Sequence, residues 1–135
     1  MSATWLNLGI DYKAQVVLGK TARVEFTVRL YTNVHTPGVT DTAGSYTECT
    51  LVGYAAVATV PANWAGSTSG GLATYVQTTL TFTFAPYAGG VTIQGYYVTI
   101  PGPIGVLAAL LSVPYAVPAG GGTLTLDITY QDQGF

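Results

Sequence analysis

Residues 22–31 alternate strictly, with Val24, Phe26, Val28 and Leu30 on one parity and Glu25, Thr27 and Arg29 on the other. A period of two sends one face of an extended chain into a core and the other into solvent, so a half-buried strand is expected here. The rhythm returns over 72–85, where Leu72, Val76, Leu80, Phe82 and Phe84 oppose Gln77, Thr79, Thr81 and Thr83. It closes the chain over 124–130, where Leu124, Leu126, Ile128 and Tyr130 alternate with Thr125, Asp127 and Thr129. Strand character also fills 46–60, with Gly53 as a bulge or close-packing point, and 91–100. The short loop 86–90 predicts a hairpin between 72–85 and 91–100. Pro101-Gly-Pro103 breaks the chain before the apolar run 106–111, and Gly120–Gly122 mark the turn before the last strand.

Two longer stretches, 32–45 and 61–71, collect Gly, Pro, Asn, Asp, Ser and Thr without apolar periodicity and are expected as loops. Trp64 stands in the middle of the second, where it either tucks back onto the core or is displayed. About seven strands punctuated by Gly and Pro predict an all-β fold, an antiparallel β-sandwich or a jelly-roll-like small barrel. Residues 5–18 fit neither period, so 1–20 is expected as a short N-terminal helix or an arm. No internal repeat or linker divides the chain, which is read as a single domain over 1–135.

Composition narrows the function classes. The 135 residues carry only 4 Lys+Arg and 6 Asp+Glu, a net charge of −2, and 49% hydrophobic residues. With a pI near 4.9 and a mean hydropathy of +0.41, the chain has no basic stripe for nucleic acid and no signature of disorder. No apolar run reaches the roughly 18 residues that span a bilayer, because 104–117 is interrupted by Ser112 and Pro114. The first residues lack a basic segment followed by an apolar one, so synthesis in the cytoplasm is expected.

Candidate chemistry is sparse. His35 lies in the first loop with Asp41 and Glu48 nearby in sequence, a spacing shared by solvated loop residues and falling short of a metal site's three or four ligands. Cys49 is the single cysteine. Strand parity sets it opposite Glu48, which makes Cys49 a small core residue. The glycine pairs and triplet lack phosphate-loop motifs and suit turns. No catalytic residue, metal or cofactor is expected. What is unusual is the surface, since ten Tyr, two Trp and many Thr take the place of charge. Such a composition suits surface that becomes subunit interface, or aromatic faces that stack on sugars, and it also fits a plain β-domain with half-buried Tyr.

Four segments taken together carry a resemblance: Val28–Asn33 (VRLYTN), Tyr46–Glu48 followed by Gly53–Ala55, Ile93–Val98 (IQGYYV), and Gly120–Tyr130 (GGGTLTLDITY). In this order they resemble a family of small tailed-bacteriophage head-region structural proteins, over roughly residues 5–130. The resemblance implies a virion structural role without catalysis, as a capsid decoration or cement protein on the virion surface. Its partners would be the major capsid protein and copies of itself, in a homo-oligomer such as a trimer, without nucleic acid or membrane. The other function the surface suits is a tail- or fibre-associated glycan-binding module. The chain departs from the family at Ile104–Tyr115, where apolar residues replace an expected polar stretch. An apolar strand without charges is an edge for a partner to cover, so Val106, Leu107, Leu110, Leu111 and Tyr115, with Trp64, are the expected interface residues.

Overall fold

The computed structural model describes residues 3–132; residues 1–2 and 133–135, which the single-domain expectation also spans, lie outside the described residues. Along the chain come β1 (Thr4–Trp5), α1 (Asn7–Val17), β2 (Thr27–Tyr31), β3 (Val57–Ala58), β4 (Trp64–Ser69), β5 (Leu72–Phe84), β6 (Thr92–Ile100), β7 (Ile104–Ala116) and β8 (Gly122–Asp132). They form two antiparallel sheets, ordered β1-β7-β6-β2-β3 and β4-β5-β8. The fold is an all-β sandwich with one helix near its N-terminus, as expected.

Parity builds the core. Leu80, Phe82, Phe84, Leu126 and Ile128 of the three-stranded sheet face Val28, Leu30, Tyr96, Val98 and Leu107 of the larger one. The opposite face of the larger sheet is also covered, because Tyr31, Tyr97 and Ala108 pack with Leu6 and Tyr46. There the Tyr46 ring stacks on Tyr97 at 5.0 Å. Central strands buried on both sides lose alternation and become continuous apolar runs.

Helix α1 sits against β7. Leu6 N–H donates to Val106 O at 3.0 Å, and a Cβ on Gly9 would fall 2.1 Å from that same oxygen. Only glycine permits so close an approach. The helix ends in a Schellman arrangement, with Gly19 (φ 71°) donating to Val16 O and Lys20 N–H to Gln15 O.

Four expectations are corrected, the first being the loop expected over 61–71, which carries β4 paired with β5 in a hairpin. The segments 72–85 and 91–100 do not form a hairpin, since β5 pairs with β4 and β8 while β6 pairs with β2 and β7. The connection 86–91 instead carries the chain from one sheet to the other. Gly89 and Gly90 take positive φ there, and the Tyr87 hydroxyl donates to Val117 O at 2.7 Å and accepts from Val91 N–H at 3.1 Å. The strands expected over 22–31 and 46–60 shrink to β2, β3 and one bridge between Tyr31 and Glu48. Gly53, expected as a bulge or close-packing point, is the second of these: it sits in a turn at φ 85°, where a Cβ would fall 2.9 Å from the Ala85 backbone nitrogen.

The fourth correction lies inside β5. Gln77 pairs with Ile128 and Leu80 with Leu126, so Thr78 and Thr79 together oppose one residue of β8. Thr79 adopts φ 63°, and its N–H donates to the Asp127 carboxylate at 3.1 Å. This bulge reverses parity, leaving Gln77 only 2% exposed where alternation places it outward.

Candidate functional site

The six expected interface residues do not form one patch. Val106, Leu107 and Leu111 are 0%, 3% and 9% exposed, inside the protomer's own core. They are therefore not subunit contacts: β7 is sandwiched between the second sheet on one side and α1 with the Tyr46 loop on the other. Leu110 alone of the run turns outward, at 38% exposure. Tyr115 is half-buried, its ring 6.1 Å from Phe84. Trp64, at the start of β4, is half-buried and packs against the core rather than being displayed.

What remains outside is a set of open strand features. Between the pairs Ile93 with Tyr115 and Gly95 with Leu110, one residue of β6 faces residues 111–114 of β7, a wide bulge. It exposes Val113 by 79%. The β4–β5 hairpin turns at Gly70 and Gly71, both at positive φ, and residues 65–71 are all exposed. Along β5 and β8 the outward positions Thr81, Thr83, Thr123 and Thr125 form facing pairs, Thr81 with Thr125 and Thr83 with Thr123.

Charge is partitioned across the molecule. No Asp, Glu, Lys or Arg occurs between Glu48 and Asp127, so the hairpin, the β7 bulge and nearly all of the three-stranded sheet are neutral. The charged residues lie on α1, on the segments flanking and including β2, and on β8 at Asp127 and Asp132.

Two polar networks use that charge. Asp41 Oδ2 accepts from Gly38 N–H at 2.8 Å and from the Tyr46 hydroxyl at 2.8 Å, and lies 2.7 Å from His35 Nε2. Burial opposes ionisation of this carboxyl, but those bonds outweigh it and hold Asp41 below its ordinary value of 3.8. The second network joins Arg29 Nη1 to both Glu48 oxygens at 3.1 Å and Arg29 Nε to Thr99 Oγ1 at 3.0 Å. The Tyr54 hydroxyl donates to Glu48 at 2.9 Å and accepts from Leu30 N–H at 3.1 Å. Both networks pin loop segments to the outer face or edge of the larger sheet.

Their geometry is that of clips. Among the described residues no hydroxyl or thiol bonds to the His35 ring, and no three His, Cys, Asp or Glu side chains gather as a metal site. Cys49 is buried in the core, where desolvation pushes its thiol up, away from the reactive thiolate. Burial also raises the Tyr31, Tyr96 and Tyr97 hydroxyls to about 12.

One cavity escaped the sequence. Beside α1 an open space of about 280 Å³ is lined by Trp5, Tyr12, Phe26 and Tyr130 with Lys13 and Arg23. Its rings come from the N-terminal stretch, the approach to β2 and the end of β8, so no spacing announces it. Trp5 is fixed there by its indole N–H on Gln131 O at 3.2 Å and by an edge contact with Tyr130 at 5.4 Å.

Compared with protein families, with curated proteins and with solved structures, the chain matches none.

Proposed function

We propose that the chain is a virion structural subunit, a capsid decoration or cement protein of a tailed bacteriophage. In this reading it is made in the host cytoplasm, sits on the capsid surface, and joins the major capsid protein and copies of itself. The partition of charge carries the reading. A freely soluble monomer uses charge to keep sheet faces and edges apart, whereas here the hairpin, the bulged strand and the threonine face have none between Glu48 and Asp127. Surface given up only on assembly adds its binding free energy to the stability of the shell by mass action. No bond is made or broken in such a role. The resemblance seen in four segments supports the same setting, and those segments supply β2, the turn at Gly53, β6 and β8. The second reading, a tail- or fibre-associated glycan-binding module, draws its support from the aromatic cavity at Trp5 in place of Trp64.

The test mixes purified protein with phage heads assembled without it, and follows cosedimentation and the temperature at which the heads disrupt. Saturable binding and a higher disruption temperature are expected. Protein that stays monomeric at micromolar concentration, leaves heads unbound and binds an oligosaccharide panel instead overturns the proposal.

A further inference from the structure

β8 is an eleven-residue strand with a partner on one side only. β5 pairs with it from Gly122 to Asp132, and no other strand flanks it among the described residues. The Trp5 indole meets it at Gln131 and the Trp5 ring meets Tyr130, which leaves the edge of 122–129 without a strand partner among the described residues. Open edges in monomers are blunted by short length, Pro, Lys or a bulge. β4 is short, and β7 carries Pro114 within its bulge. β8 has none of these guards, since the irregularity between the two strands places its extra residue in β5. Its one charge within the open stretch is Asp127.

The strand is also complementary to itself. Leu124, Leu126 and Ile128 point inward, and Thr123, Thr125 and Asp127 point outward. When two copies of β8 lie antiparallel about a two-fold axis through Leu126, Leu124 faces the partner's Ile128 and Leu126 faces the partner's Leu126. On the other face Thr125 meets the partner's Asp127, a hydroxyl donor against a carboxylate acceptor. Moving the axis one residue earlier sets Ile128 against glycine, and one residue later sets Asp127 against its own copy. A single register therefore matches both faces, and two-fold pairing is the commonest way for identical subunits to associate.

We infer that β8 is a homotypic docking edge, pairing antiparallel with β8 of a second copy about a two-fold axis at Leu126 to make one six-stranded sheet. The inference rests on the assembly reading above and names its first contact, an even-numbered one in place of a trimer.

Thr125→Asp and Thr125→Lys test it, because Thr125 is exposed in the protomer and neither change disturbs the core. Circular dichroism confirms the fold, and sedimentation equilibrium reads self-association. Wild-type protein is expected to dimerise. Thr125→Asp sets two carboxylates opposite each other on both sides of the axis and raises the dissociation constant at least about tenfold. Thr125→Lys faces the partner's Asp127 and keeps or tightens the dimer, more so at low salt. Association untouched by Thr125→Asp, or weakened equally by both variants, overturns the β8 contact and leaves the assembly reading standing. A wild-type monomer that still binds phage heads overturns the homotypic contact alone.

Discussion

Gln77→Glu is the sharpest test of the bulge in β5. Straight alternation puts Gln77 in solvent, where an isosteric carboxylate changes little. The bulge at Thr78–Thr79 instead leaves it 2% exposed, with its Oε1 accepting from Val60 N–H at 3.1 Å. Glutamate keeps that acceptor, fills the same volume and opens no cavity, so its cost is the desolvation of a charge. A buried carboxyl is commonly raised by two to three pKa units, and each unit is about 1.4 kcal/mol, so Gln77→Glu should lose about 3 to 4 kcal/mol at neutral pH. The sign with pH is fixed: the folded-state value is raised, so the penalty is full above it and disappears as pH falls below the unfolded value near 4.3. Denaturant midpoints measured across that range give the curve. Thr79→Gly should add up to about 1 kcal/mol by relieving a β-branched residue at positive φ. A Gln77→Glu protein within about 0.5 kcal/mol of wild type at neutral pH, beside a severely destabilised Val76→Glu, would refute the bulge.

Gly9→Ala should cost about 3 kcal/mol, because the new methyl meets Val106 backbone that cannot yield; an unchanged melting temperature would place the helix farther from β7. Tyr96→Phe should be neutral or stabilising by about 1 kcal/mol, since this buried hydroxyl has no partner among the described residues; a clear loss of stability in denaturant would contradict that. Asp41 contributes stability that is present above its ordinary carboxylate value and is lost as pH falls through its lowered folded value. Asp41→Asn should therefore flatten the acid limb of the stability profile, and an unaltered limb would remove Asp41 from it. Leu107→Lys should abolish the β signal in circular dichroism while Leu110→Lys retains it, separating the buried and outward positions of one apolar run; equal effects would contradict the placement of β7.

How far these features can be read in the amino acids depends on how many faces of a strand are buried. β8 is legible because its inner face alone is covered, so Leu126 and Ile128 alternate with Thr125 and Asp127. β7 is buried on both faces from Gly105 to Ala109, and apolar continuity there carries no information about which side meets a partner. That ambiguity is why Val106, Leu107 and Leu111 suggested an interface. The parity break at Gln77 is a backbone event marked by threonine rather than glycine, so side-chain character gives no warning of it. Loop length likewise cannot distinguish a hairpin from a crossing between sheets, and at 86–91 the decision belongs to Tyr87 reaching Val117. The clips at Asp41 and Arg29 differ in the same respect. His35 and Asp41 are close in sequence, whereas Arg29, Glu48 and Thr99 meet only through the sheet.

The strand order has a consequence for the speed of folding. Among strands that pair, only β4–β5 and β6–β7 are joined by short turns; β1 must find β7, β2 must find β6, and β5 must find β8, each across a long stretch of intervening chain. Closing such loops is entropically costly before any contact rewards it, and topologies of this kind fold in milliseconds to seconds. Throughout that interval β5 is an exposed, uncharged strand waiting for a mate that is made later. The same neutrality that suits a finished assembly leaves the nascent chain without electrostatic protection, so yield on expression should be governed by temperature and synthesis rate more than by the stability of the native state.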